Sequence, residues 1–226
     1  MLEITDLPEQ RTTTDLVFDR LREEIVSLAL LPGTKLSEAE VARRFGVSRQ
    51  PVRDAFNRLA NLDLLLIRPQ RATEVRGFSM ERIAHARFVR LAVELEVVRH
   101  ACTLWDEERA AILERNVDAQ ANVIAEGRPE AFHALDYEFH KLICELGGCP
   151  LALETVRDCK QKVDRLCMLG LGREREATVL LTDHQKLAGA LRDRNADRAV
   201  SVLREHLGRL DGVVLELHAR HEAYFE

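Results

Sequence analysis

Apolar residues recur with helical spacing along most of this chain. The first such pattern begins at Thr14 or Asp15 and runs to Leu28. From residue 79 onward the same period continues, and polar or glycine-containing stretches divide it into six predicted helices: residues 79–104, 106–126, 129–146, 151–169, 178–193 and 196–220. A dense run of arginine and glutamate at residues 170–176 predicts a solvent-exposed loop. The pattern therefore predicts a mainly α protein whose second part is an antiparallel bundle of about six helices.

Two much shorter helical patterns meet in the first third of the chain. The first opens at Ser37, a good N-cap residue, and Glu40 three positions later predicts a capping box. Gly46 then supplies the permissive backbone of a tight turn, and Ser48 can cap the second helix. The apolar stripe of that second helix comprises Val52, Ala55, Phe56 and Leu59. Two short helices joined by a glycine-containing turn predict a helix-turn-helix.

A basic loop between two short apolar runs follows this motif. Residues 64–67 and 73–75 predict two strands, and Arg68 and Arg71 lie in the loop between them. This arrangement predicts a β-wing, with an ordinary solvated loop as the alternative. A winged helix-turn-helix would occupy residues 12–76, and an all-helical domain would occupy residues 79–222.

Charge is distributed unevenly along the chain. The whole chain has a net charge of −5, but residues 40–76 hold eight arginines against four acidic residues, a net charge of +4. In a helix-turn-helix the first residues of the second helix face base edges in the major groove, and flanking basic groups contact phosphates. The candidate DNA-binding residues are Arg43, Ser48, Arg49, Gln50, Pro51, Arg53, Arg68 and Arg71. The alternative is an amphipathic helical hairpin with a solvated basic face.

The order and spacing of three segments support the DNA-binding interpretation. Residues 32–36 (PGTKL), 47–55 (VSRQPVRDA) and 64–75 (LLLIRPQRATEV) resemble the winged helix-turn-helix of the GntR family of bacterial transcription regulators. The resemblance covers about residues 12–76 and implies a homodimer that binds a near-palindromic double-stranded DNA operator. One departure is Ala72, where the family usually has a glycine at the tip of the wing.

A second group of polar residues stands out in the helical part. Asp136 and His140 are four residues apart and therefore project from one face of the third predicted bundle helix. His184 and His206 fall in the fifth and sixth predicted helices, which a bundle can bring to the same point. One carboxylate and three imidazoles suit Zn²⁺, Ni²⁺, Mn²⁺ or Fe²⁺. From spacing alone, an Asp-x-x-x-His pair on a helix is more often a surface pair than part of a metal site.

The segments around these residues resemble the ligand-binding domain of the FadR subfamily of GntR regulators. The matching patterns are 136–140 (DYEFH), 184–191 (HQKLAGAL) and 199–207 (AVSVLREHL). The resemblance implies a divalent metal, zinc or nickel first and manganese or iron next, held by Asp136, His140, His184 and His206. It also implies a small organic acid or sugar acid as effector, bound at the open coordination positions. The chain departs from the family at residues 148–150 (GCP), where Gly-Asn is usual.

Arg90 is the candidate effector-binding residue. Arg90 and Glu94 lie four residues apart on the first bundle helix, as an Arg-x-x-x-Glu pair does in the family. Arg90 can bind a ligand carboxylate through two parallel hydrogen bonds, or it can form an intrahelical ion pair with Glu94. His133 lies near the face of Asp136, but it is interpreted as a surface or packing residue, like His85, His100, His218 and His221.

The remaining features exclude other classes. No apolar run approaches the ~18 residues of a membrane span, and no signal peptide opens the chain, so we expect a soluble, cytoplasmic protein. The five cysteines lack metal-ligand or CxxC spacing and are expected to be reduced. No phosphate loop or nucleophile elbow is present.

Together these features predict a metabolite-responsive transcription regulator of the repressor type rather than an enzyme. Two alternatives remain at this stage. One is a regulator for which the metal itself is the effector, and the other is a metal-dependent hydrolase or lyase.

Overall fold

The computed structural model describes residues 11–128, 131–169 and 173–226, which form two compact units. The first unit comprises the described residues through Phe78 together with Ala223–Glu226, and the second comprises the described part of Ser79–Glu222. No helix of the described residues is long and apolar enough to cross a membrane.

The first unit contains three helices and a small sheet. The helices are α1 (Thr13–Val26), α2 (Glu38–Phe45) and α3 (Arg49–Asn61), and the strands are β1 (Lys35–Leu36), β2 (Leu65–Leu66) and β3 (Thr73–Val75). Strand β3 pairs antiparallel with both neighbours, in the order β1-β3-β2. The helix-turn-helix and wing are thus present, and β1 is a third strand that the sequence pattern did not predict.

The core of this unit is formed by the apolar stripes of its three helices and by one residue from each strand. Phe56 and Leu59 of α3 are fully buried against Leu21 and Ile25 of α1. Gly46 has a left-handed φ of 67° at the end of α2, as the turn requires. Ser37 and Ser48 do occupy the N-cap positions of α2 and α3, but neither side chain makes a capping hydrogen bond, so the predicted capping box at Ser37 is wrong.

The second unit contains seven helices within the described residues rather than the six predicted. They are α4 (Met80–Leu104), α5 (Glu107–Ala125), α6 (Phe132–Leu146), α7 (Ala152–Cys167), α8 (Arg173–Arg192), α9 (Ala196–Gly208) and α10 (Leu210–Arg220). Helix α4 packs on α7 and α9, and α5 packs on α6 and α8. The bundle encloses one large apolar core that includes Trp105, Phe139 and Leu191.

Two predicted boundaries in this unit differ from the structure. The predicted sixth helix is interrupted after Gly208, the residue type with the weakest helix preference apart from proline. Residues 173–176 of the predicted loop at 170–176 are helical, because α8 begins at Arg173. The rest of that prediction, at residues 170–172, and the predicted helix start at 129–130 lie outside the described residues.

Candidate metal centre and DNA-binding surface

The first turn of α3 presents polar side chains to solvent. Ser48, Arg49 and Gln50 are exposed, and Pro51 is half-buried in the first turn of the helix. Val52 faces the core directly behind them. The amphipathic pattern of α3 therefore leaves its N-terminal end available to a partner, as major-groove binding requires.

Two candidate residues of this surface already have partners within the motif. The Arg53 guanidinium donates two hydrogen bonds to the Glu38 carboxylate, at 3.1 and 2.9 Å. The Gln50 amide donates to Asp54 Oδ1 at 3.0 Å. Arg53 Nη1 takes no part in this pair, so the guanidinium can contact a phosphate while it remains bound to Glu38.

The wing carries its basic residues at the tip. Arg68 and Arg71 are both exposed, and the Arg71 amide donates to the Arg68 carbonyl at 3.3 Å across the turn. Gln70 adopts a φ of 59°, so the left-handed residue lies two positions before Ala72. Pro69 and the left-handed Gln70 occupy the two central positions of this turn, so its left-handed residue is not a glycine. Arg43 is exposed in the last turn of α2.

Four buried side chains converge inside the helical unit. One ligand atom each from Asp136, His140, His184 and His206 lies within 4.8 Å of every other. These are the four residues that the sequence predicted, and they come from α6, α8 and α9. The His184 and His206 ring centroids are 4.8 Å apart, and those of His140 and His206 are 5.4 Å apart. A single cation at their centre would contact all four.

Each histidine faces an acceptor through its Nδ1 atom. His140 Nδ1 lies 2.6 Å from Glu94 Oε2, and His184 Nδ1 lies 2.7 Å from Gln120 Oε1. His206 Nδ1 lies 3.5 Å from Asp183 Oδ2. Such partners orient His140 and His184 and leave their Nε2 atoms for a metal, whereas the buried His206 Nδ1 atom makes no hydrogen bond in the described structure. The buried His184 Nε2 has no hydrogen-bond partner in the described structure, so the donor set fits a metal.

The two carboxylate oxygens of Asp136 have different neighbours, two histidines for one and a lysine for the other. Its Oδ1 lies 3.4 Å from His184 Nε2 and 3.9 Å from His140 Nε2, whereas its Oδ2 lies 2.7 Å from Lys160 Nζ. Lys160 is itself buried and also donates to the Asp164 carboxylate at 2.8 Å. This geometry leaves one oxygen of Asp136, Oδ1, directed at the histidines.

Electrostatics keep the cluster in the protonation states that metal binding needs. Burial alone would raise the pKa of Asp136, but the charge of Lys160, the largest opposing cause, holds that pKa well below its usual range. Burial lowers the pKa values of His184 and His206, which favours their neutral forms. The carboxylate is therefore charged and these two imidazoles are neutral near pH 7.

Arg90 makes the intrahelical ion pair and also reaches the cluster. Its guanidinium pairs with Glu94, and Nη2 lies 3.1 Å from His140 Nε2. Burial alone would raise the pKa of Glu94, but Arg90 and His140 lower it. Arg90 also lines a cavity of about 500 Å³ that includes Asp136 and His206. The structure therefore shows the intrahelical ion pair between Arg90 and Glu94. Because Arg90 also lines the cavity, its position is compatible with binding an effector there.

Several residues of the site were not predicted from the sequence. Gln120, Asp183 and Lys160 lie against His184, His206 and Asp136, respectively, from three different helices, and no sequence spacing relates the members of each pair. His133 is exposed and lines the same cavity without joining the cluster. Cys149, at the departure from the family pattern, is not among the described residues that line this cavity.

None of the five cysteines, all of which lie in the described residues, forms a disulfide, and two of them are buried. Burial raises the pKa of Cys144 to about 12, and it also raises the pKa values of Cys102 and Cys159. These three thiols are therefore protonated and poorly nucleophilic near neutral pH.

Comparison with protein families divides the chain in the same way as the structure. Residues 13–75 match the family described as bacterial regulatory proteins, gntR family, and residues 86–209 match the FCD domain. Both matches agree with the resemblance drawn from the sequence motifs.

Similar proteins of known sequence are transcription regulators. The chain is 34% identical over 221 residues to the HTH-type transcriptional repressor RspR of Escherichia coli K12, covering 98% of this chain and 97% of that protein. It is 32% identical over 201 residues to an uncharacterized HTH-type transcriptional regulator in an unstable DNA locus of Streptomyces ambofaciens, covering 87% and 83%. These relatives confirm the prediction that the chain is not an enzyme.

Solved structures share the fold. Escherichia coli McbR/YncC superposes with a TM-score of 0.74 at 18% identity, covering 92% of this chain and all of that one. A GntR-type putative regulator from Rhodococcus sp. RHA1 superposes with a TM-score of 0.72 at 23% identity, covering 90% and 97%. At these identities the likeness extends to the fold alone.

Proposed function

This chain belongs to the GntR family of bacterial regulatory proteins and carries an FCD domain, and on that basis we propose that it is a ligand-controlled transcription repressor. Its operator affinity is set by a small carboxylate that binds beside a divalent metal in the helical unit. The observation that carries this proposal is the convergence of four buried metal-ligand atoms at the edge of a small-molecule cavity. A regulator of this kind acts on the chromosome, which places it in the cytoplasm.

The metal would be held by Asp136, His140, His184 and His206. Zinc or nickel suits three imidazoles and one carboxylate best, and manganese or iron is the next choice. When bound, the metal would supply Lewis-acid coordination to the carboxylate of an organic acid or sugar acid. Arg90 lies 3.1 Å from the Nε2 atom of His140, where its guanidinium can take the same carboxylate by charge-assisted hydrogen bonds.

DNA binding would use the exposed residues of the helix-turn-helix and wing. Arg49 and Gln50 are suited to base edges, because arginine pairs with guanine and glutamine with adenine. Ser48 and the remaining arginines are suited to phosphates. The chain would act as a homodimer on a near-palindromic operator, since two-fold protein symmetry selects a two-fold site. The assignment as a repressor rests on the similarity to the transcriptional repressor RspR of Escherichia coli.

The effector would act by favouring one arrangement of the dimer over another. A ligand that moves a population from mostly DNA-bound to mostly released must favour one state by several kcal/mol. Binding at the cluster involves α4, α6, α8 and α9 at once, because each of them contributes a side chain to it.

The test is the double variant Asp136→Ala with His140→Ala. Zinc content measured after dialysis should fall from about one ion per chain to near zero, while non-specific DNA binding at low salt stays unchanged. The wild-type protein should release its selected operator when a binding carboxylate is added, and the variant should not respond. A double variant that retains its full metal content would disprove the ligand assignment. Metal-dependent operator binding that ignores every organic acid tested would instead identify the metal as the effector.

A further inference from the structure

The cavity beside the metal-ligand cluster has a definite chemical character. It occupies about 500 Å³ in the helical unit, and Asp136 and His206 form part of its lining. Volumes of this order are typical of sites for small organic molecules. The side chains around it therefore carry information about the ligand that would fit.

The cavity is lined by a charged group and an apolar group of residues. Arg90, Asp136 and Lys160 form the charged side next to the cluster, and His133, Asp164, Arg209 and Glu216 are further charged or ionisable lining residues. The apolar side is built from the end of α7 and from α8, α9 and α10, through Cys167, Val179, Leu180, Leu207, Leu210 and Val213. Among the described lining residues there is no serine, threonine, asparagine, glutamine or tyrosine. A polyhydroxylated ligand would find few neutral hydrogen-bond partners along this apolar side.

The ionic groups connected to the cluster carry a net charge that a metal would reverse. The connected cations are Arg90, Lys160 and Arg209, and the connected anions are Glu94, Asp136, Asp164 and Asp183. The side chains of Asp164, Arg209 and Glu205 are 41%, 36% and 63% exposed, so water screens their charges and they are set aside. Among the described residues, the two buried cations Arg90 and Lys160 and the three buried anions Glu94, Asp136 and Asp183 leave one net negative charge. A divalent cation turns this into one net positive charge. One monoanion then makes the buried network neutral, which a low-dielectric interior favours.

We propose that the effector is a monocarboxylate with an apolar body. Its carboxylate lies between Arg90, Lys160 and the metal position, and its body lies against the wall formed by α8, α9 and α10. This inference rests on the proposed function and narrows the effector from organic and sugar acids in general. A dicarboxylate would leave a net negative charge in the network, and a sugar acid would place hydroxyl groups against leucine and valine.

Six-carbon ligands provide a matched test by isothermal titration calorimetry on the zinc-loaded full chain. Hexanoate, adipate, gluconate and hexanamide differ in charge or polarity at similar length, and phenylacetate adds an aromatic body. Hexanoate or phenylacetate should bind at least about tenfold more tightly than adipate, gluconate and hexanamide. The zinc-free protein should lose this preference for a monoanion, because its network already carries a negative charge.

Two leucines on α10 provide the variant and its control. Leu210→Ser alters the apolar wall and should weaken the better monocarboxylate by about tenfold or more. Leu215→Ser changes a residue on the same helix that is 63% exposed and outside the cavity lining, so it should leave binding unchanged.

Lys160→Met removes one cation and should reduce the preference for hexanoate over hexanamide. Zinc content of each variant shows whether the cluster is intact.

The inference is overturned if gluconate or adipate binds as tightly as both monocarboxylates. It is equally overturned if neither hexanoate nor phenylacetate binds the zinc-loaded protein at millimolar concentration. In either case zinc content and carboxylate-dependent operator release still test the proposed function separately.

Discussion

At the scale of single residues, the cluster is organised by what lies behind its histidines. Glu94, Gln120 and Asp183 come from α4, α5 and α8, and each faces the Nδ1 atom of a different imidazole. The Asp183 carboxylate is in turn held by two contacts from Arg209, at 2.6 and 3.0 Å. The directions of the Nε2 atoms of His140 and His184 are therefore set by residues outside the four candidate ligands, whereas Asp183 lies near His206 Nδ1 without a hydrogen bond.

The contribution of one such partner can be measured with Gln120→Met. Methionine has a similar length but cannot accept the proton of His184 Nδ1, so zinc affinity should fall by about 10- to 100-fold. Competition with a chromophoric chelator measures this loss. Asn122→Leu on the same helix is exposed and serves as the control, with unchanged affinity expected. Equal affinities for wild type and Gln120→Met would mean that Gln120 does not orient His184.

The sequence predicted the metal-ligand candidates better than their surroundings. Asp136 and His140 are related by helical spacing, and His184 and His206 fall in predicted helices that a bundle can bring to the same point; the family resemblance then implied all four as ligands. Gln120 and Lys160 approach from separate helices, so only the three-dimensional packing brings them to the site. Pairwise contacts between distant helices leave no period in a sequence, which is why these two residues were not predicted.

At the scale of elements, α1 begins with a capping box formed by Thr12 and Asp15, whereas the sequence predicted such a box at Ser37 and Glu40. Thr12 Oγ1 accepts from the Asp15 amide at 3.2 Å, and Asp15 Oδ2 accepts from the Thr12 amide at 3.0 Å. Asp15 also accepts from Arg58 of α3 at 2.7 Å. The Asp15 carboxylate thus caps α1 and also links α1 to α3, the helix proposed to bind DNA.

The contribution of Asp15 should depend on pH in a defined direction. Hydrogen bonds from Thr12 and then Arg58 lower the pKa of Asp15 from 3.8 to about 2. A folded-state pKa below the unfolded value stabilises the fold above pH 3.8, and this stabilisation is lost as the pH falls toward 2. Thermal unfolding of wild type and Asp15→Asn should therefore differ at pH 7 and converge as the pH falls from about 4 toward 2. A difference that stays constant over this range would contradict the assignment.

The period of apolar residues in the sequence does not predict where helices break or where very short strands form. The apolar period runs through residues 196–220, yet the structure separates α9 from α10 at Gly208 and Arg209. Strand β1 has only two residues, too few for an alternating pattern, and it is recognised only by its pairing with β3. Periodicity reports which face is buried, whereas breaks and short strands depend on tertiary partners.

Glycine substitutions test the interruption between α9 and α10. A Cβ at Gly208 would meet no atom within 4 Å, and its φ is not left-handed, so Gly208→Ala should stabilise the protein by about 0.5–1 kcal/mol. Gly148→Ala is the opposite case, because its φ is +75° and its Cβ would lie 2.8 Å from Leu104 Cδ1. That variant should lose more than about 1 kcal/mol. Urea unfolding measures both, and a destabilised Gly208→Ala variant would show that the interruption needs glycine.

At the scale of the whole molecule, the two-part organisation was predicted from composition and period, but the path of the chain end was not. Residues Ala223–Glu226 belong to the first unit, where the Phe78 amide donates to the Tyr224 carbonyl at 2.8 Å. Arg76 also pairs with Glu226 at 3.0 Å. A tail of four residues has no hydrophobic period of its own, so only the structure reveals that the chain ends beside the segment that follows the wing.

The proposed dimer makes Arg49 a residue that acts twice on each operator. Loss of one arginine–guanine contact costs about 1–3 kcal/mol, so Arg49→Ala should weaken binding to an isolated half-site by that amount and relax its sequence preference. On the full near-palindromic operator the same substitution removes two equivalent contacts, and the loss in kcal/mol should be about twice as large. Fluorescence anisotropy with both DNA lengths measures this ratio, and Arg99→Ala, an exposed arginine on α4, is the control. Equal losses on the two DNA lengths would mean that only one copy of α3 contacts the operator, which would contradict the symmetric arrangement while leaving the metal centre to be tested separately.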